Sequence, residues 1–195
     1  MKVADYRERR MHMTDATPSP PSPGSADDLP HLTPYGFLHG IICANVYDVL
    51  RPFVRVYRLG YVLGYGVLYD LSGGDDTAPL ALVPDVSFIR KGRIPPGFDL
   101  ARPFPGAPDL AVEVISPNET ASDVLAKVDA CLNAGAAQAW VLFAQRRELY
   151  QYLRTGGKTT VSLYGGSDRV AVEALFPGLE LVVERLFNLP NLGEG

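Results

Sequence analysis

Glu113 stands in the run Leu110-Ala-Val-Glu-Val-Ile115, where five of six residues are apolar. A continuous apolar run of that length reads as a strand covered on both faces. An ionised carboxylate in such a strand costs several kcal/mol unless a cation, a metal or hydrogen bonds compensate it. The plain alternative is an edge strand with Glu113 turned to water, against which the poor alternation speaks. Two aspartates follow prolines: Asp85 in Val83-Pro-Asp-Val-Ser-Phe-Ile89, and Asp109 in Ala107-Pro-Asp-Leu110. Asp109 and Glu113 lie four residues apart in one strand, so their Cα atoms are roughly 13 Å apart at ~3.3 Å per residue, too far for one ion. Strands that pair lie ~4.8 Å apart, so Asp85 converges on Glu113 if its strand is the neighbour. Asp85 is therefore the candidate metal ligand, and Asp109 a turn or strand-opening residue.

Lys127 completes the set. The chain has four lysines against fourteen arginines, and this one falls on the segment that follows the Glu113 strand. It either points back to the strand or forms a surface pair with Asp123 at i,i+4, worth about 0.3–0.5 kcal/mol. An Asp and a Glu on neighbouring strands with a lysine in reach suit metal-dependent phosphodiester hydrolysis. Hard carboxylate oxygens hold Mg²⁺ (or Mn²⁺) while it keeps waters and meets phosphate. The ion neutralises phosphate and lowers the pKa of a water. The lysine orients that water and stabilises developing negative charge.

These side chains need a frame. Apolar residues Ile42, Val46, Val49, Leu50 and Phe53 predict a helix over 39–55, with Pro52 tolerable only near its end. Strands are predicted over 61–71 and 83–89, separated by a hairpin loop at 72–76, then over 110–115. Val124, Leu125, Val128 and Leu132 line one face of a helix over 119–134 that ends at Gly135. Further strands are predicted over 139–144, 148–153, 159–164 and 169–172, and a last short apolar segment ends near Phe187. The order gives an α/β domain with a mixed sheet flanked by helices.

The whole chain has 195 residues, 47% hydrophobic, with a net charge of −4. Six of the 17 prolines fall between Thr14 and Pro34, where little apolar area is available to order the chain. Residues 1–34 are thus expected to be a flexible tail and 35–195 a single domain. The acidic balance argues against a general nucleic-acid or membrane coat, and no apolar run reaches the ~18 residues a membrane helix needs. Cys43 and Cys131 fit neither a disulfide framework nor a metal spacing and read as buried packing thiols of a reducing cytoplasm. Arg7, Arg9 and Arg10 have no apolar segment behind them, so no secretory signal is expected. No Ser–His–Asp or Cys–His arrangement is apparent among the three histidines. Trp140, Phe88 and the tyrosines read as core.

Leu82-Val-Pro-Asp85-Val-Ser-Phe-Ile, Pro108-Asp-Leu-Ala-Val-Glu113-Val-Ile-Ser-Pro117, then Thr120, Asp123, Lys127, Gly135 and Trp140 resemble the Uma-type putative restriction endonuclease family of the PD-(D/E)xK nuclease superfamily. The resemblance covers about residues 33–187. It implies a restriction-endonuclease-like central mixed sheet of four to five strands flanked by helices, with a metal at Asp85, Glu113 and the main-chain carbonyl of Val114. The superfamily's usual lysine, two residues after the glutamate, is Ile115 here, and Lys127 matches the position to which the family has moved it. His39 matches a recurrent family histidine, a candidate substrate or site residue against a plain helix-start histidine. The family's Glu-rich hairpin before the first helix is not visible. A recurrent tyrosine one turn after the lysine is Cys131, and the residues around the tryptophan are Gln138, Ala139 and Phe143.

The leading expectation is a Mg²⁺-dependent endonuclease acting on DNA, as a homodimer because duplex cleavage needs two sites. Arg90, Lys91 and Arg93 either meet the phosphate backbone or form a solvated loop. The alternative is a catalytically inactive nuclease-like domain that binds nucleic acid or protein, favoured by the negative charge and the lost aromatic residues.

Overall fold

The computed structural model describes residues 36–64, 66–72, 80–115 and 119–190; the tail expected over 1–34 lies outside them. Helix α1 (Phe37–Val56) carries Pro52 in its last turns, and Ile42, Val46, Leu50 and Val54 form its buried stripe. Strands β1 (Gly60–Gly64), β4 (Val86–Arg90), β6 (Leu110–Val114), β7 (Gln138–Phe143), β8 (Glu148–Thr155) and β9 (Lys158–Gly165) make a six-stranded sheet in the order β1-β4-β6-β7-β8-β9. Within this sheet only β6 and β7 pair in parallel, and α2 (Ala121–Asn133) connects them, as a parallel pair requires a crossover. The sheet is therefore mixed and flanked by helices, as the element order predicts.

Each face of the sheet has its own core. Phe88, Leu110, Val112, Val114 and Trp140 pack against the α1 stripe and against Phe176, Leu181 and Phe187 of the C-terminal segment. Ala111, Ala139 and Val141 pack on the other face against Val124, Val128 and Leu132 of α2. Because side chains alternate along a strand, Glu113 follows Ala111 onto the α2 face. Asn45 ties the C-terminal segment to α1, donating to the carbonyls of Leu186 (3.2 Å) and Asn188 (2.7 Å).

A small second sheet departs from the expected strands. The stretch 61–71 divides between β1 and β2 (Tyr69–Asp70), which belong to different sheets. Gly66, at φ +103°, takes the chain out of the extended conformation between them. Strand β2 pairs antiparallel with β3 (Ala81–Leu82) and parallel with β5 (Phe104–Pro105). The expected turn over 72–76 thus separates β2 from β3, not two long strands of the main sheet; residues 73–79 lie outside the described residues. The strand expected over 169–172 is a single bridge between Arg169 and Val182. The Val170 N–H still donates to the Leu181 carbonyl at 2.8 Å, but at Ala171 side chains take over: Gln151 Nε2 donates to the Ala171 carbonyl at 2.7 Å, and the Ala171 N–H donates to the Tyr164 hydroxyl at 3.4 Å.

Asp109 opens β6, as expected. Its N–H donates to the Phe88 carbonyl at 2.9 Å, and its own carbonyl accepts from Ala137 and Gln138. Its carboxylate, 4% exposed, accepts from the Arg90 N–H at 2.8 Å and faces the Arg90 and Arg93 guanidinium groups at 3.8 and 3.5 Å. One aspartate thus aligns β4, β6 and the start of β7, and so fixes the register on which Asp85 and Glu113 depend. Asp109→Ala should cost about 1–3 kcal/mol, because it strips the part-buried Arg90 N–H of a charged acceptor. Urea-unfolding midpoints measure this; a loss of function with unchanged stability would make Asp109 a site residue instead.

Candidate metal centre

Strand β6 is third of six, so Glu113 is not on an edge. The residue is 7% exposed, which excludes the water-facing alternative. The β4–β6 ladder ends at Val86–Val112, and Asp85 lies one residue beyond it. Two hydrogen bonds hold Asp85 against the stretch of β6 from Val112 to Val114 that contains the glutamate. The Asp85 N–H donates to the Val112 carbonyl at 3.1 Å, and Asp85 Oδ2 accepts from the Val114 N–H at 2.8 Å. In an extended residue the carbonyl lies on the same side of the strand as its own N–H. The Val114 carbonyl therefore faces the same end of β4 as Asp85.

Lys127 reaches the strand. Its Nζ donates to Glu113 Oε2 at 3.0 Å and to Glu119 Oε1 at 2.8 Å. Asp123, its alternative partner, is engaged with Thr120: the Thr120 hydroxyl donates to Asp123 Oδ2 at 2.7 Å, and the Asp123 N–H caps α2 by donating to Thr120 Oγ1. Glu119 had no signal in the periodicity, since it precedes the helix whose lysine it holds.

The other oxygen, Glu113 Oε1, is buried with no hydrogen-bond partner among the described residues. Burial pushes the carboxyl up to about 7; Lys127 opposes that rise, and Asp85 adds to it. Half-burial disfavours the Lys127 ammonium, but Glu113 and Glu119 outweigh it and hold the pKa above the usual lysine value. An orphaned carboxylate oxygen, a second carboxylate across the strand pair and a main-chain carbonyl are hard oxygen donors of the kind Mg²⁺ or Mn²⁺ takes. The residues fit the ion that the sequence resemblance implies.

His39 opens α1 beside this centre. Its Nε2 donates to Asp85 Oδ2 at 3.2 Å, which leaves Nδ1 to accept from the Cys43 thiol at 3.5 Å. The absence of a Cys–His arrangement expected from the sequence is thus corrected: Cys43, His39 and Asp85 are joined in a chain. The one available signal was the i,i+4 spacing of His39 and Cys43 on a helix. Burial pushes the Cys43 thiol up to about 12, so it is not a thiolate nucleophile at neutral pH. Cys131 is a buried packing thiol; Cys43 is half-buried and hydrogen-bonded.

Beside His39 a cleft of about 480 Å³ opens between the start of α1 (Gly36 to His39), Ile115 and the β7–β8 turn from Phe143 to Arg146. Arg146 on its wall was not singled out by sequence. The basic residues that were, Arg90, Lys91 and Arg93, fall at the far end of β4. Five residues separate Arg90 from Asp85, roughly 16 Å at ~3.3 Å each. Arg90 and Arg93 face Asp109 there. The structure brings together Asp85, Glu113, Val114, Lys127 and His39, and leaves that loop apart.

The displaced Glu113 carboxyl predicts a pH dependence of stability in metal-free buffer. Below about pH 4.5 the group is protonated in folded and unfolded chains alike; between about 4.5 and about 7 only the unfolded chain ionises. Stability therefore falls as pH rises through that window and levels off above it. The difference in denaturation midpoint between wild type and Glu113→Gln should change across the window. A difference that stays constant from pH 4.5 to 7 would refute the displaced carboxyl.

Among curated proteins, none matches the chain. Four chains of known structure do match. One is described as the crystal structure of a putative nuclease belonging to DUF820 from Anabaena variabilis ATCC 29413. It is 22% identical, with a TM-score of 0.65 over 79% of this chain and 82% of that one, a likeness of fold. Residues 28–184 match the Uma2 family, described as putative restriction endonuclease, and that span is most of the chain: this protein belongs to the Uma2 putative restriction endonuclease family.

Proposed function

We propose that this chain is a divalent-cation-dependent endonuclease that hydrolyses DNA phosphodiester bonds. The reading rests on one observation above the others: Glu113 presents a buried carboxylate oxygen with no partner among the described residues, while its second oxygen is held by Lys127. A carboxylate kept half-compensated in a sheet interior is costly without a cation. Asp85, Glu113 and the Val114 carbonyl would hold Mg²⁺ or Mn²⁺. That ion supplies charge neutralisation at phosphate and a lowered pKa for the attacking water.

The chain's own groups do the rest. Lys127, kept protonated by Glu113 and Glu119, cannot take a proton from water near neutral pH. Its task is to donate hydrogen bonds, orienting the water and stabilising negative charge that develops at phosphorus. His39 fixes the Asp85 carboxylate from the α1 side and leaves it aligned with the end of β6. The cleft beside His39 gives the sugar–phosphate chain a way to the carboxylates, with Arg146 on its wall. Cutting both strands of a duplex requires two copies of the site, which a homodimer would supply. The two free thiols suit a reducing cytoplasm. No helix among the described residues is long and apolar enough to cross a membrane.

Nicking of supercoiled DNA with Mg²⁺ or Mn²⁺ tests the reading. Glu113→Gln and Asp85→Asn should each lower the rate by about 100-fold or more, and Lys127→Met by a similar factor, as removing a transition-state charge partner does. Activity that survives both carboxylate substitutions removes this site from consideration. A wild type that binds DNA and leaves it intact identifies a non-catalytic binding module.

A further inference from the structure

The hydrogen-bonded chain Cys43–His39–Asp85 contains a donor set that a Mg²⁺ nuclease does not need. One ligand atom from each residue lies within 4.8 Å of the other two. The separations along the chain are 3.5 Å from sulfur to Nδ1 and 3.2 Å from Nε2 to Oδ2. Tetrahedral Zn²⁺ takes Cys sulfur at about 2.3 Å, His nitrogen at about 2.0–2.1 Å and carboxylate oxygen at about 2.0–2.2 Å, which sets ligand atoms roughly 3.3–3.8 Å apart. One ion takes a single His39 nitrogen, so the widest separation is bounded by 4.8 Å, and the cluster contracts by up to about 1–1.5 Å to meet those lengths, within the reach of side-chain rotation.

Position supports the chemistry. His39 and Cys43 stand one helical turn apart on α1, so both present to the same face. His39 also lines the cleft beside the centre, which gives an ion a way in. Thiolate and imidazole favour a soft or borderline cation over Mg²⁺. Asp85 belongs to both sets. An ion held by Cys43 and His39 would draw on the carboxylate that the hard-cation site also requires.

We propose that His39, Cys43 and Asp85 form a second metal site, selective for a soft divalent cation such as Zn²⁺, which competes with the hard-cation site for Asp85. Binding forms a metal–sulfur bond as the Cys43 S–H bond breaks and its proton passes to solvent. The competition, though not the binding, rests on the nuclease reading.

Co²⁺ titrated into the full chain tests binding directly, because a cobalt–thiolate bond gives a charge-transfer absorption band that oxygen and nitrogen ligands do not. The band should appear at one equivalent in wild type and in Cys131→Ser, and persist in Glu113→Gln. Cys43→Ser should abolish it, and His39→Gln should weaken Co²⁺ binding by more than about 10-fold. Circular dichroism of each variant checks that it is folded. No band in wild type, or a band that survives Cys43→Ser and disappears in Cys131→Ser, overturns the site. For the competition, stoichiometric Zn²⁺ should suppress Mg²⁺-supported nicking in wild type and lose that effect in Cys43→Ser. Saturating Zn²⁺ that leaves wild-type nicking unchanged overturns the sharing of Asp85. If the protein nicks no DNA, displacement of Mn²⁺ by Zn²⁺ in wild type and not in Cys43→Ser replaces that arm.

Discussion

A single buried carboxylate organises this molecule. Glu113 sits inside a six-stranded sheet with apolar neighbours on its own strand and Val141 opposite it on β7. Only one of its oxygens is compensated. A fold optimised for stability alone would place a valine there, since replacing buried ionic groups by packed apolar ones is often neutral or stabilising. The sheet tolerates the glutamate because α2 crosses above it and brings Lys127 down. The same crossover makes β6 and β7 parallel. Topology and compensation are thus one constraint: without the crossover there is no helix above the carboxylate, and without the lysine the carboxylate would be uncompensated on both sides.

A second constraint holds the other carboxylate. Asp85 lies just before β4, where a strand end would leave the Val114 N–H without a ladder partner. Its side chain takes that donor, while its backbone N–H still pairs with Val112. The aspartate therefore performs a structural task with one oxygen and is aligned by it. His39 adds a contact from α1, on the opposite side of the sheet from α2. The centre lies where both layers of the fold meet the end of β6, so each helix contributes one polar residue to it. Preorganisation follows from ordinary strand and helix packing, with no cis peptide bond among the described residues.

Much of this was legible in the chain. Glu113 was conspicuous because ionised groups do not occur in continuous apolar strands without a partner, and the limit on chain reach separated Asp85 from Asp109. The long periodic helices and the strands over 110–115 and 139–153 were readable because their apolar positions outnumber their polar ones on a fixed period. The division of 61–71 between two sheets was not, because a lone glycine at positive φ looks like any other glycine in sequence. The segment 169–172 looked like a strand because Val170 and Val172 alternate, yet at Ala171 the backbone partners are the side chains of Gln151 and Tyr164, which no local pattern encodes. The contacts of Glu119 and Arg146 with the centre and its cleft arise from tertiary packing alone. The position of the basic loop Arg90–Arg93 was hidden for a related reason: adjacency in sequence to Asp85 becomes the full length of a strand in space.

The placement of the lysine has a physical explanation. Residues two apart on a strand share a face, so position 115, where the superfamily pattern puts its lysine, points to the same side of β6 as Glu113. In this chain Ile115 occupies that position, packs with the α2-side core and lines the cleft. Helix α2 covers that face, and Lys127, in its second turn, has a flexible stem long enough to set an ammonium near the same point. Moving the cation from strand to helix changes its company. A lysine at 115 would lie along the sheet beside Glu113; Lys127 descends from above and also meets Glu119, at the approach to its own helix. With two carboxylates around it, the ammonium is held in place and held charged. The cost is that one cation must serve two anions, which leaves Glu113 under-compensated. That residual deficit is what makes the position receptive to a further positive charge.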